Sequence, residues 1–153
     1  MSLMTSLNIS ASGMSAQRTR MDIIAQNVAN VNTTRDENGN PYRRQTVVFE
    51  ERSINNRNFE SYLTAQKTGL TYNPQIGSGV KISSIAEDHV TSMKKVYEPG
   101  NPDADEDGYV TYPNVNTVTE MTNLIDASRS YEANVTAFNA TKNMALKALE
   151  IGK

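Results

Sequence analysis

Apolar residues at both ends of this chain recur on a helical seven-residue period, and that constrains the fold more than any other feature. Near the start, Leu7, Met14, Met21 and Val28 fall at a strict step of seven, with Met4, Ala11, Ile24, Ala25 and Val31 at flanking positions. Near the end, Met121, Val135 and Leu149 share one heptad position, with Ser128 and Lys142 between them. Leu124, Tyr131, Phe138 and Ala145 share another, and Ile125 and Leu146 widen the stripe on one side. An apolar row that repeats every seven residues keeps facing a partner along a long helix, so each end is expected to form one half of a coiled-coil seam. Thr117 with Glu120 three residues later reads as a capping box, which starts the second helix near residue 117; Gly152 supplies its stop.

The faces away from these rows carry unusual residues. Residues 1–32 contain three charged side chains, Arg18, Arg20 and Asp22, and otherwise use Ser, Thr, Asn and Gln. Such side chains are poorer helix formers than Lys or Glu and compete for the backbone. A helix whose outer face is neutral and amide-rich is suited to packing against further copies, so both ends are expected to order fully on assembly.

Between the ends the sequence changes character. Asn38-Gly39-Asn40-Pro41 is a turn signal; Arg43–Glu51, Val80–Ile85 and Lys94–Tyr97 read as short strands. The expected fold is therefore α+β and mainly α. N- and C-terminal helices pair as a coiled coil (1–34 and 117–153), and a small β-rich middle unit with long loops occupies 35–116.

With 153 residues, three Phe and no Trp, the core is thin and a deep catalytic cavity is not expected. The absence of Cys excludes disulfides and thiolate metal sites, and a formal charge of -2 speaks against a nucleic-acid binder, which needs a basic face. No stretch is apolar and long enough to insert in a membrane. The start lacks the basic-then-apolar pattern of a secretory signal, so a cytoplasmic location is the default unless export uses an uncleaved route.

One motif points elsewhere. Asp103, Asp105 and Asp107 at alternate positions ahead of Gly108 imitate the opening of a calcium-binding loop, which raises a calcium-responsive regulator as an alternative function. The loop's twelfth position, where a bidentate Glu is required, is Asn114, and Pro99, Pro102 and Pro113 obstruct the flanking helices. A connecting turn is the expected role, with the Asp side chains capping local amides before Gly108. His89, beside Glu87 and Asp88, is the sole histidine and has no partner set for catalysis. No cofactor, metal or enzymatic activity is expected. Arg35, Arg43, Arg44, Arg52 and Arg57 form a basic cluster that could meet the acidic run 98–107 of a neighbouring subunit. A two-helix adaptor acting as a compact monomer is a third reading.

Ser12-Gly13-Met14-x-Ala16-Gln17 and Asn27-Val28-Ala29-Asn30-Val31-Asn32-Thr33 resemble the N-terminal signature of the bacterial flagellar axial proteins of the rod and hook. Gly108-Tyr109-Val110, Pro113-Asn114-Val115-Asn116, Glu120-Met121 and Ala127–Asn134 resemble the C-terminal signature of that family, in its short, proximal-rod form. The resemblance spans 6–34 and 97–152 and is weak over 50–78. It implies a structural subunit of the basal body whose terminal helices line the rod's central channel and which transmits torque. It further implies export through the flagellar type III apparatus into the periplasmic space without a cleaved signal. The implied partners are further copies, other proximal-rod proteins, the adaptor to the membrane ring and the distal rod. Under this reading the assembly contacts are Leu7, Met14, Met21, Ile24 and Val28 from the first helix. From the second they are Met121, Leu124, Ile125, Tyr131, Val135, Phe138 and Leu149. Asn27 and Asn30 either supply amide hydrogen bonds between packed helices or end the first helix.

Overall fold

The structure, a computed structural model, describes residues 3–36, 39–52 and 78–151. The elements run α1 (Leu3–Ala29), β1 (Gln45–Glu51), β2 (Val80–Glu87), β3 (Lys94–Tyr97), β4 (Tyr109–Tyr112) and α2 (Thr117–Ile151). The α+β, mainly helical class is thus observed, with two small antiparallel sheets between the helices.

The two helices pack as an antiparallel pair. Asn27 meets Glu120 and Gly13 meets Asn134, so fourteen residues back along α1 correspond to fourteen residues forward along α2. On α2 the buried or half-buried row is Glu120, Leu124, Ala127, Tyr131, Asn134, Phe138, Thr141 and Ala145, with steps alternating between four and three. That is a heptad seam. The matching row on α1, through Gly13 and Asn27, is Ser10, Gly13, Gln17, Arg20, Ile24 and Asn27.

This register corrects half of the sequence expectation. Leu124, Tyr131, Phe138 and Ala145 do lie in the seam, but the other α2 row is shifted by one residue. Glu120, Ala127, Asn134 and Thr141 fill it, rather than Met121, Ser128, Val135 and Lys142. On α1, Leu7, Met14, Met21 and Val28 each sit one residue beyond the seam and are half-buried. The cause is steric and polar. Gly13 leaves room for the Asn134 side chain, whose Oδ1 would lie 2.7 Å from a methyl group there, and the Asn27–Glu120 hydrogen bond places those residues face to face. Small and polar residues therefore set the register, and the apolar rows flank it.

The α2 start also differs from expectation in its cap. Asn116 Oδ1 accepts from the Val118 and Thr119 amides at 3.0 and 3.3 Å, which makes Asn116 the N-cap. Glu120 is free to turn into the seam. With 35 residues against 27, α2 is about 52 Å long and α1 about 40 Å at ~1.5 Å per residue. In this register Leu3 lies level with Met144, so the last turns of α2 run past the described start of α1.

The β1–β2 ribbon lies against the side of α1. Its register runs from Gln45↔Glu87 to Glu51↔Val80, with a bulge between Val48 and Phe49. Ile23 lies beside Val47 and Phe49, and Ala16 beside Val80 and Ile82; both are buried. The β3–β4 hairpin pairs Lys94↔Tyr112 through Tyr97↔Tyr109, and Tyr97 and Tyr109 stack edge to face at 5.3 Å. Strand β4 was not among the strands read from the sequence; it directly follows the Gly108 turn and pairs with β3. The hairpin's inward residue, Val110, is fully buried.

Candidate functional site

The foot of the helix pair, where α1 ends and α2 begins, holds a polar junction that ties α1, β1 and α2 directly together. Asn27 is 0% exposed and Glu120 1%. Asn27 Nδ2 donates to Glu120 Oε2 at 3.0 Å and to the Gln45 carbonyl at 2.8 Å. Asn27 Oδ1 accepts from the Gln45 amide and from the Tyr42 hydroxyl, each at 2.9 Å. Arg44 completes the charge balance, its Nε lying 2.9 Å and its Nη2 2.8 Å from Glu120 Oε1. A buried carboxylate is tolerated only when paired and hydrogen-bonded, and here both oxygens are.

The network continues outward through Asn114. The Arg44 amide donates to Asn114 Oδ1 at 2.9 Å, and Asn114 Nδ2 donates to the carbonyls of Asp88 and Thr91. Arg44 also approaches Asp88 at 3.9 Å. Thus the residue that occupies the calcium loop's glutamate position clamps the turn after β2 to the start of β1. Hydrogen bonds from the Thr91 amide and hydroxyl, with lesser help from the Val90 amide and Arg44, outweigh desolvation and hold Asp88 below the usual carboxylate range. Burial, then the charges of Glu120 and Glu87, push the Tyr42 phenol above its ordinary value.

A second anchor fastens the far end of the ribbon. Ser12 Oγ donates to the Ile9 carbonyl at 2.7 Å and accepts from the Val80 amide at 3.1 Å. Gly79, at φ +99°, lies so close that any Cβ would collide with the Ser12 hydroxyl. The Arg52 amide donates to the Gly79 carbonyl at 2.9 Å, which closes this end of the ribbon.

Around these contacts lies an apolar surface that no described residue covers. Met121 is 57% exposed, Ile125 54%, Val118 74% and Leu149 70%. Leu146 and Met144 are exposed as well. On the heptad wheel Val118, Met121, Ile125, Leu146 and Leu149 fall on one flank of the seam.

The residues singled out from sequence therefore occupy three kinds of position. Leu124, Tyr131, Phe138, Ile24 and Asn27 lie in the intramolecular seam. Leu7, Met14, Met21, Val28 and Val135 lie half-buried beside it, and Met121, Ile125 and Leu149 are exposed. Asn30 works locally: its Nδ2 donates to the Gln26 carbonyl and its Oδ1 accepts from Thr33, so it ends α1. Tyr42, Arg44, Glu120 and Asn114 were not foreseen as a site. The one sequence signal for them is an acidic residue on an otherwise small-residue heptad row.

The aspartate loop is a turn. Gly108 takes φ +80° and its amide donates to the Asp105 carbonyl. Asp103 accepts from Thr34 at 2.7 Å and pairs with Arg35 at 3.4 Å, which ties the turn to the segment after α1. The local amide cap comes from Asn101, on the Asp103 amide, rather than from an aspartate. Arg35 and Arg44 thus meet acidic partners inside the chain, and Arg57 lies outside the described residues. His89 is exposed beside Glu87. Among the described residues no group of three or more His, Asp or Glu is placed to hold a metal, and no helix is long and apolar enough to cross a membrane.

Comparisons with known proteins agree with one another. The model of the flagella basal body rod protein family matches residues 7–35, and that of the flagellar basal body rod FlgEFG protein C-terminal region matches 106–151. Three relatives, each named flagellar basal-body rod protein FlgC, align over nearly their whole length. That of Bacillus subtilis (strain 168) is 48% identical over 97% of both chains. That of Borreliella burgdorferi is 43% identical over 99% of this chain and 98% of its own. That of Salmonella typhimurium is 39% identical over the full length of both.

Proposed function

Because the chain belongs to the flagellar basal-body rod protein FlgC family, we propose that it polymerises through the outer flanks of its helix pair into the rod. It is a structural subunit of the flagellar basal body. The observation that carries the reading is the exposed α2 flank, Val118, Met121, Ile125, Leu146 and Leu149, beside a seam whose Asn27–Glu120 pair is already hydrogen-bonded within the chain. Leaving several large apolar side chains in water along one helix is costly to solubility unless a partner covers them. Neighbouring copies and other rod proteins supply that cover.

On this reading the roles of the three regions differ. Residues 1–34 and 117–153 form the rod wall around the channel, and 35–116 form the outer unit. The apolar rows beside the seam, Leu7, Met14, Met21 and Val28 on α1 and Met121, Ile125, Val135 and Leu149 on α2, make the contacts between subunits. The buried apolar side chains among the described residues are few: Ala16, Ile23, Ile24, Val110 and Ala127. So thin a core favours a chain that crosses the type III export apparatus unfolded and reaches the periplasmic space without a cleaved signal. The junction end of the hairpin then forms first. The far ends, where Leu3 and Met4 are exposed and α2 overhangs, order on incorporation.

The test is a strain lacking the chain. Absence of distal rod and hook is expected, with restoration by the wild-type gene. Normal hooks in that strain would remove the structural role.

A further inference from the structure

One charged group near the junction has no counterpart. A groove of about 270 Å³ opens between α1, β1 and the start of α2, with Arg20, Ile23, Phe49 and Asn123 on its walls. Arg44 and Glu120 border it too, but they neutralise each other, and Glu120 Oε1 already accepts from Arg44 and Asn123 while Oε2 accepts from Asn27. The charge of Glu120 is thus already matched by Arg44. Arg20 is half-buried and, among the described residues, has neither an ion pair nor a side-chain hydrogen bond. The groove therefore carries an unbalanced positive charge beside the apolar Ile23, Val47 and Phe49, and it fits an incoming carboxylate.

Among the described residues, one turn of complementary charge stands out. Asp105, Glu106 and Asp107, at the tip of the turn between β3 and β4, are all exposed, and among the described residues none has a side-chain partner. Asp103 is held by Thr34 and Arg35, which fixes the base of the turn. Other exposed carboxylates, such as Asp22, Asp126 and Glu132, lie on helix flanks and cannot enter a groove.

We propose that the 105–107 turn of one subunit docks in the Arg20 groove of the next copy. Groove and turn are different surfaces of one molecule, so the contact is head to tail and joins one copy to the next rather than closing as a two-fold dimer. The proposal rests on the chain being a rod subunit and names one contact of that polymer.

Charge exchange in cells tests it. Arg20→Glu, and Glu106→Arg with Asp107→Arg, should each abolish swarming, and the combined variant should recover it. Because the native chain has no Cys, a chain carrying Asn123→Cys and Glu106→Cys should give a disulfide-linked ladder in isolated basal bodies, and each single Cys variant none. The cross-link decides the matter where a charge variant is lost before export. Wild-type swarming by the single reversals, or no ladder from the double Cys chain in basal bodies that contain it, would overturn the contact. Full motility of a strain lacking the chain altogether would instead overturn the rod reading.

Discussion

Asn27 and Glu120, separated by 93 residues in sequence, hydrogen-bond at 3.0 Å in the interior of the helix pair. A side-chain amide that also holds the first residue of β1 thereby fixes three things at once: the helix register, the position of the ribbon and the orientation of a buried carboxylate. Polar pairs in a seam are a known means of specifying register.

Removing one member of this junction should cost far more than its net contribution. Glu120→Ala leaves the Arg44 guanidinium and the Asn27 amide facing a cavity, and the expected loss is roughly 3 kcal/mol, the range for breaking a buried ion pair. Urea unfolding followed by circular dichroism measures it. Replacing Glu120 with Gln should cost less, because the Asn27 bond can persist while the charge is lost.

Two glycines should differ in their tolerance of Ala. At Gly79 the backbone has φ +99° and the new methyl would strike the Ser12 hydroxyl. About 1 to 3 kcal/mol is expected from the backbone conformation alone. At Gly13 the obstacle is the amide end of Asn134, a flexible group, so Ala there should be milder. Thermal melts of the two variants give the order.

Seam and flank substitutions should separate folding from assembly. Phe138→Asp buries an unpaired charge between the helices and should melt the hairpin in the isolated chain. Met121→Asp, at a position 57% exposed, should leave stability within about 0.5 kcal/mol of wild type yet prevent rod formation. A Met121→Asp chain that still builds rods would show that this flank is not an interface.

The two perturbed groups of the junction set opposite pH limits. Tyr42 is raised by burial and nearby carboxylates, so its contribution is complete below about pH 10 and is lost as pH climbs through the higher folded value. Phenolate absorbance should show late-ionising tyrosines, Tyr42 and Tyr112 among them, with one fewer in Tyr42→Phe. Asp88 is lowered by the Thr91 hydrogen bonds, so its contribution is complete above about pH 4 and is lost as pH falls through the lower folded value. Asp88→Asn should flatten the acid side of the stability profile.

The two long helices, their approximate ends and three of the four described strands were legible in the sequence, because seven-residue and two-residue apolar periods are local properties. The family was legible as well, from Asn27–Thr33 and Gly108–Asn134. What faces what was not. A period says that a stripe exists, but Leu124 and Met121 both belong to periodic rows, and only the packing decides which row turns inward. That choice was made by Gly13, whose missing side chain admits Asn134, and by Asn27, which meets Glu120 from 93 residues away. Close approach and long-range hydrogen bonding depend on two distant segments arriving together, so no window of sequence contains them.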